Sequence, residues 1–136
     1  MEPGVGSVSP GYLIDSNILI YYLNGQLTQT GKRWMMDVLV ERTCLSIISR
    51  IEILGWKGHT DASLKATEGL LSKLTEQTLN DPIATLCIGL RRNHPIKLPD
   101  AIIAATALHL DLPLITRNVT DFRTVKRLRL INPFEL

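Results

Sequence analysis

Residues 11–20, Gly11-Tyr12-Leu13-Ile14-Asp15-Ser16-Asn17-Ile18-Leu19-Ile20, decide the fold. Gly11-Tyr12-Leu13-Ile14-Asp15 reads as a short buried strand that ends on a carboxylate. Ser16 or Asn17 can cap a helix, and Ile18 to Leu23 makes an apolar helical turn or two before Asn24-Gly25 stops it. A short strand feeding a helix is the first half of an α/β unit, and the remaining chain repeats the pattern.

Thr30 to Arg42 carries Trp34, Met35, Val38 and Leu39 at helical spacing. Cys44 to Ser49 alternates like a strand, and Ser49 is placed to cap a helix holding Ile51, Glu52, Ile53 and Leu54. Asp61 to Leu74 predicts another amphipathic helix, and Gln77 to Leu79 a short extended piece. Asp81-Pro82 starts a helix that runs to Asn93. Pro99-Asp100 opens the alanine-rich helix through Leu110. Pro113 to Thr116 reads as a strand, Arg117 to Asp121 as a loop, and Arg129 to Ile131 as a last strand. Short apolar strands alternating with longer helices imply a mostly parallel sheet flanked by helices. Residues 1–10 read as a flexible leader and residues 11–136 as one domain.

The composition is that of an ordinary globular protein, with 45% hydrophobic and 21% charged residues. The net charge of +2 hides an asymmetry: Arg91 to Arg129 holds eight Lys or Arg against three Asp, a local balance of +5. Such a region suits a polyanion, and equally a solvated face. Cys44 and Cys87 form no metal-binding spacing and read as reduced core thiols. With no signal-like start and no membrane-length apolar run, the chain is expected to be cytoplasmic.

Sites in open parallel sheets form beyond the carboxyl ends of strands. Asp15 ends the first strand, Glu52 follows the second, Asp100 opens the alanine-rich helix, and Asp121 follows the strand ending at Thr116. Each has a plainer reading. Asp15 is placed as a helix N-cap, Asp100 as a first-turn acid favoured by the helix dipole, and Asp121 as a loop or capping residue. Glu52 sits among Ile51, Ile53 and Leu54, where burial of an unpaired carboxylate is costly. Brought together, the four acids would repel and require counter-charge, which hard divalent cations supply to oxygen ligands. His59, His94 and His109 are scattered and read as surface or structural.

Leu13-Ile14-Asp15-Ser16-Asn17-Ile18-Leu19-Ile20, Ser49-Arg50-Ile51-Glu52-Ile53-Leu54-Gly55, Leu98-Pro99-Asp100-Ala101-Ile102-Ile103-Ala104-Ala105-Thr106-Ala107, and Ile115-Thr116-Arg117-Asn118 with Asp121-Phe122 together resemble the PIN domain. More narrowly, they resemble the VapC-type toxins of bacterial toxin–antitoxin pairs. The resemblance implies an α/β, PIN-like three-layer sandwich and a ribonuclease using Mg²⁺ or Mn²⁺. It implies catalytic roles for Asp15, Glu52, Asp100 and Asp121, with Asp15, Asp100 and Asp121 on the metal. Asn118 stands at the alternative place for the fourth acid. Ser16, Asn17, Thr116 and Asn118 would support these groups by hydrogen bonds. Metal-activated water would cut RNA to leave a 5′-phosphate and a 3′-hydroxyl, with Arg117, Arg123, Lys126, Arg127 and Arg129 on backbone phosphates. The implied partners are a small antitoxin and a second copy of the chain. Trp34, Met35, Met36 and Trp56 are candidates for groove or dimer contacts, or for ordinary core.

A receiver domain would need an acid beside Asp15 and a Lys on the late strand, but Asp15 has no adjacent acid and Leu114-Ile115-Thr116 no Lys; a haloacid-dehalogenase phosphatase would need an Asp at position 17, where Asn17 stands. A PIN-like scaffold that binds RNA or protein without cutting, or a processing nuclease with no antitoxin, remain as alternatives.

Overall fold

A computed structural model of the chain describes residues 11–41 and 43–136. The leader expected at residues 1–10, and Arg42 at the expected end of the second helix, lie outside the described residues. The elements are β1 (Tyr12–Ile14), α1 (Ser16–Leu23), α2 (Gln29–Leu39), β2 (Thr43–Ser46), α3 (Ile47–Leu54), α4 (Asp61–Leu71), β3 (Thr75–Gln77), α5 (Asp81–Asn93), α6 (Leu98–Leu110), β4 (Leu114–Ile115), α7 (Val119–Phe122) and β5 (Leu130–Ile131). A 3₁₀ turn spans Pro133–Glu135.

The five strands form one sheet in the order β3-β2-β1-β4-β5, and each neighbouring pair is parallel. Parallel neighbours need crossovers, which the helices between them supply. Register sorts the two faces of the sheet. Leu13 pairs with Leu114, and Ile14 with Ile115. Leu13 and Leu114 join an apolar cluster with Ile83 of α5, Ala104 of α6 and Phe122. Ile14 and Ile115 join Ile18 of α1, Met35 of α2, Ile53 of α3 and Leu71 of α4. Successive strand side chains face opposite sides, so the sheet carries helices on both. The expected three-layer α/β sandwich is what forms. Residues Ala101 to Ala107 of α6 are buried without a break, as befits a helix apolar all round.

Several boundaries differ from the expectation. β2 ends at Ser46, whose Oγ accepts a hydrogen bond from the Ile48 amide at 3.2 Å and caps α3. Ser49, expected as the cap, is buried inside α3. Ile47-Ile48 prolongs the apolar run and conceals the change of period. The extended piece expected at Gln77 is β3, a little earlier and half exposed at the sheet edge, where Arg50 of α3 pairs with Glu76. α6 begins at Leu98, and the loop expected at Arg117 to Asp121 contains the short helix α7.

Strand order creates the crevice. The chain builds outward from β1 to β2 and β3, then returns to the other side of β1 for β4 and β5. The reversal lies between β1 and β4, and a crevice opens beyond their carboxyl ends.

Candidate active site

Asp15 and Thr116 are the first residues beyond β1 and β4, so they meet at the reversal. Thr116 Oγ1 donates to Asp15 Oδ2 at 2.8 Å. The Asn118 amide donates to the same threonine oxygen at 3.0 Å and fixes its orientation. Asp15 occupies the N-cap position of α1, yet its carboxylate makes no capping hydrogen bond. Its side chain is therefore turned to the crevice network rather than to the helix.

Asp15 is only 5% exposed. Burial pushes its carboxyl up from 3.8 to about 6; the Thr116 hydroxyl and Ser16 amide oppose this, while the charges of Asp100 and Glu52 reinforce it. Asp100, half-buried in the first turn of α6, is also raised, first by burial and then by Asp121 and Glu52, with Lys97 opposing. Asp100 thus feels Asp121 and Glu52, and Asp15 feels Asp100 and Glu52, so acids from four separate segments are linked through Asp100.

Glu52 corrects an expectation. It is exposed, because the face of α3 turns inward at Ile53 and outward at Ile51, which is 58% exposed. Glu52 Oε1 accepts a hydrogen bond from the Ser16 hydroxyl at 2.9 Å. Asp121, exposed on α7, accepts from Asn118 Nδ2 at 2.9 Å. Asn118 therefore holds Thr116 with its backbone and Asp121 with its side chain. A cavity of about 330 Å³ opens here, lined by Asp15, Asn17, Tyr21, Arg117 and Asn118. Tyr21 was not singled out from the sequence, although four-residue helical spacing puts it on the same face as Asn17.

The basic residues divide. The Arg117 guanidinium borders the carboxylate cavity. Arg123, Lys126 and Arg127 are exposed on α7's end and the connection to β5. Arg129 corrects its expected place. It precedes β5, at the amino edge of the sheet, and bonds Asp111 through the backbone oxygen at 2.7 Å and Oδ1 at 3.2 Å. It is turned away from the crevice.

Beside Glu52 lies a second, more apolar cavity of about 460 Å³, lined by Ile20, Leu23, Ile53, Trp56, His59 and Ala66 among others. Trp56 is exposed there, edge-on to His59. His59 is structural, with ring nitrogens bonded to Ser63 Oγ at 2.9 Å and the Ile53 carbonyl at 2.8 Å. Of the other groove candidates, Met35 is fully buried core, Trp34 packs edge-on against Tyr12, and Met36 is exposed on α2.

Among the described residues, no three His, Cys, Asp or Glu side chains are gathered tightly enough to hold a metal ion by themselves. The donor chemistry still fits a hard cation. Every candidate ligand is an oxygen, and Mg²⁺ characteristically keeps several waters and uses one or two carboxylates.

A family model for the PIN domain matches residues 12–128. The chain belongs to the PIN-domain family. One curated relative is Ribonuclease VapC10 of Mycobacterium tuberculosis (strain CDC 1551 / Oshkosh), 31% identical over 123 residues, which are 86% of this chain and 90% of that protein. Among solved structures, a toxin–antitoxin complex from Klebsiella pneumoniae aligns with a TM-score of 0.75 at 30% identity, covering 93% of this chain and 100% of the other. VapBC-1 from nontypeable Haemophilus influenzae aligns with a TM-score of 0.74 at 27% identity, covering 90% and 97%. The all-parallel sheet flanked by helices is thus that of a PIN domain. No helix among the described residues is long and apolar enough to cross a membrane.

Proposed function

We propose that this PIN domain, read as residues 11–136, is a metal-dependent endoribonuclease and the toxin of a toxin–antitoxin pair. The observation that carries the reading is Asp15. A buried carboxylate at the strand reversal, pushed up to about 6 by burial and by the charges of Asp100 and Glu52, is a poor structural device and a good cation site. The ribonuclease name of the Mycobacterium relative and the toxin–antitoxin complex from Klebsiella support it.

Asp15, Asp100 and Asp121 would hold Mg²⁺ or Mn²⁺. The bound cation supplies Lewis acidity, lowering the pKa of water and neutralising charge on phosphate oxygens. Thr116 keeps Asp15 Oδ2 in one orientation, and Asn118 does the same for Asp121. Glu52 is steered through Oε1 by Ser16, which leaves Oε2 to take a proton from the attacking water. Asn17, exposed on the cavity wall, is placed to donate to a phosphate oxygen. Arg117, Arg123, Lys126 and Arg127 would contact the RNA backbone, and the products would be a 5′-phosphate and a 3′-hydroxyl.

The apolar cavity beside Glu52, with Trp56 at its wall, would take an apolar helix of the antitoxin. A second copy of the chain would complete a homodimer, and the setting would be the cytoplasm.

The test is cleavage of an end-labelled mixed RNA with Mg²⁺ or Mn²⁺, with EDTA, and by Asp100→Asn. The expected result is cutting that needs metal and falls to background in the variant, with an unchanged circular dichroism spectrum. Equal activity in Asp100→Asn would sink the assignment. RNA binding without cutting under any metal would favour a non-catalytic scaffold.

A further inference from the structure

The guanidinium of Arg117 stacks over the Phe134 ring at 4.1 Å and the Tyr21 ring at 5.2 Å. The two rings meet edge-to-face, with centroids 5.1 Å apart. Arg117 follows Thr116 directly, and the Thr116 amide is pinned to the Ile131 carbonyl at 2.9 Å. Its backbone is therefore fixed at the strand reversal, and its side chain borders the same cavity as Asp15. The ion pairs among the described residues are Arg50 with Glu76 and Arg129 with Asp111, so neither takes up Arg117. Phe134 is itself held. The Asn132 side chain accepts from the Phe134 amide at 2.9 Å, and Gly31 admits the Pro133 carbonyl where any Cβ would lie 2.3 Å from it.

We propose that Phe134 and Tyr21 are positioning residues that hold Arg117 as a preset clamp for an RNA backbone phosphate beside the carboxylates. This rests on the ribonuclease reading. A phosphate entering a cavity walled by carboxylates is repelled, and a fixed cation at the rim offsets that. An unrestrained arginine lining the same cavity as Asp15 would be drawn onto that carboxylate and neutralise a ligand it should leave open. Cation–π contact with the two rings holds the guanidinium back while leaving N–H groups to donate to a phosphate. The last turn of the described chain thereby acts on substrate binding without touching substrate.

The test uses the full chain, binding of fluorescein-labelled single-stranded RNA in EDTA, and cleavage kinetics in Mg²⁺. Phe134→Leu keeps bulk and removes the ring face, Phe134→Tyr restores the ring, and Arg117→Gln removes the cation. The expected result for Phe134→Leu is RNA binding weaker by roughly three- to tenfold. KM should rise in parallel while kcat stays within about twofold. Phe134→Tyr should recover wild-type values, and Phe134→Leu added to Arg117→Gln should cause no further loss. Unchanged binding in Phe134→Leu, equal impairment in Phe134→Tyr, or additive losses in the double variant would each overturn the clamp, as would a wild-type chain that binds no RNA. A wild-type chain that binds but never cuts would defeat the nuclease reading alone, because binding in EDTA still decides the clamp.

Discussion

Asp15 ties stability to pH. Folded, it keeps its proton up to about 6; unfolded, it loses it near 3.8. Between those values the folded chain binds more protons, so stability falls as pH rises through the window, and the full cost applies above it. The displacement corresponds to about 3 kcal/mol. Asp15→Asn removes the charge and keeps an acceptor for Thr116. In EDTA at pH 7.5 it is expected to melt above the wild type, with the gap closing near pH 4; equal melting curves at both pH values would contradict a costly buried charge. Thr116→Val removes the hydrogen bond that opposes this rise. Cleavage should fall by roughly 10- to 100-fold, as for partners that orient metal ligands. The acidic limb of its pH–rate profile should also move upward. Asp15 stood out in the sequence because a carboxylate after a short apolar strand is informative without coordinates, and Asp100 because it opens the alanine-rich helix. Arg129 was misplaced because charge counting along the chain does not say at which end of a two-residue strand a side chain stands. Phe134 reaches Tyr21 only through closure of the whole fold, which no local pattern announces.

At the level of elements, the contact between α2 and the Pro133–Glu135 turn depends on one missing side chain. Gly31→Ala would force a Cβ to within 2.3 Å of the Pro133 carbonyl, so the turn must move. The expected loss is about 1–3 kcal/mol in urea titration. A wild-type midpoint would mean that the turn shifts freely. β1, β4 and the long α5 and α6 were readable from apolar runs, proline and alanine. β3 was harder to see because Thr75-Glu76-Gln77 is an edge strand with almost nothing to bury. The start of α3 was misread because Ile47-Ile48 satisfies either period. In both cases burial pattern, not propensity, carried the missing information.

For the molecule as a whole, the proposed cation site would link metal binding to folding. A divalent cation at about ten times its Kd adds about 1.4 kcal/mol at pH 7.5. That should raise Tm by about 3–5 °C, an increase EDTA reverses. At pH 5 the increase should shrink, since Asp15 then holds a proton that competes with the cation. The same increment at both pH values would place the ion away from Asp15. The sheet order has a further consequence, in time rather than in space. Among the described strands β1 is made first, yet its partner β4 comes last but one, and Thr116 follows Asp15 by 101 residues. At roughly 5–20 residues per second, a ribosome needs on the order of 5–20 seconds to make that stretch. Throughout that interval Asp15 is already synthesised but has neither Thr116 nor Asp121 beside it. On the proposed nuclease reading, the emerging polypeptide is expected to be inactive until Thr116 and Asp121 are made, and a product truncated before Thr116 to stay inactive.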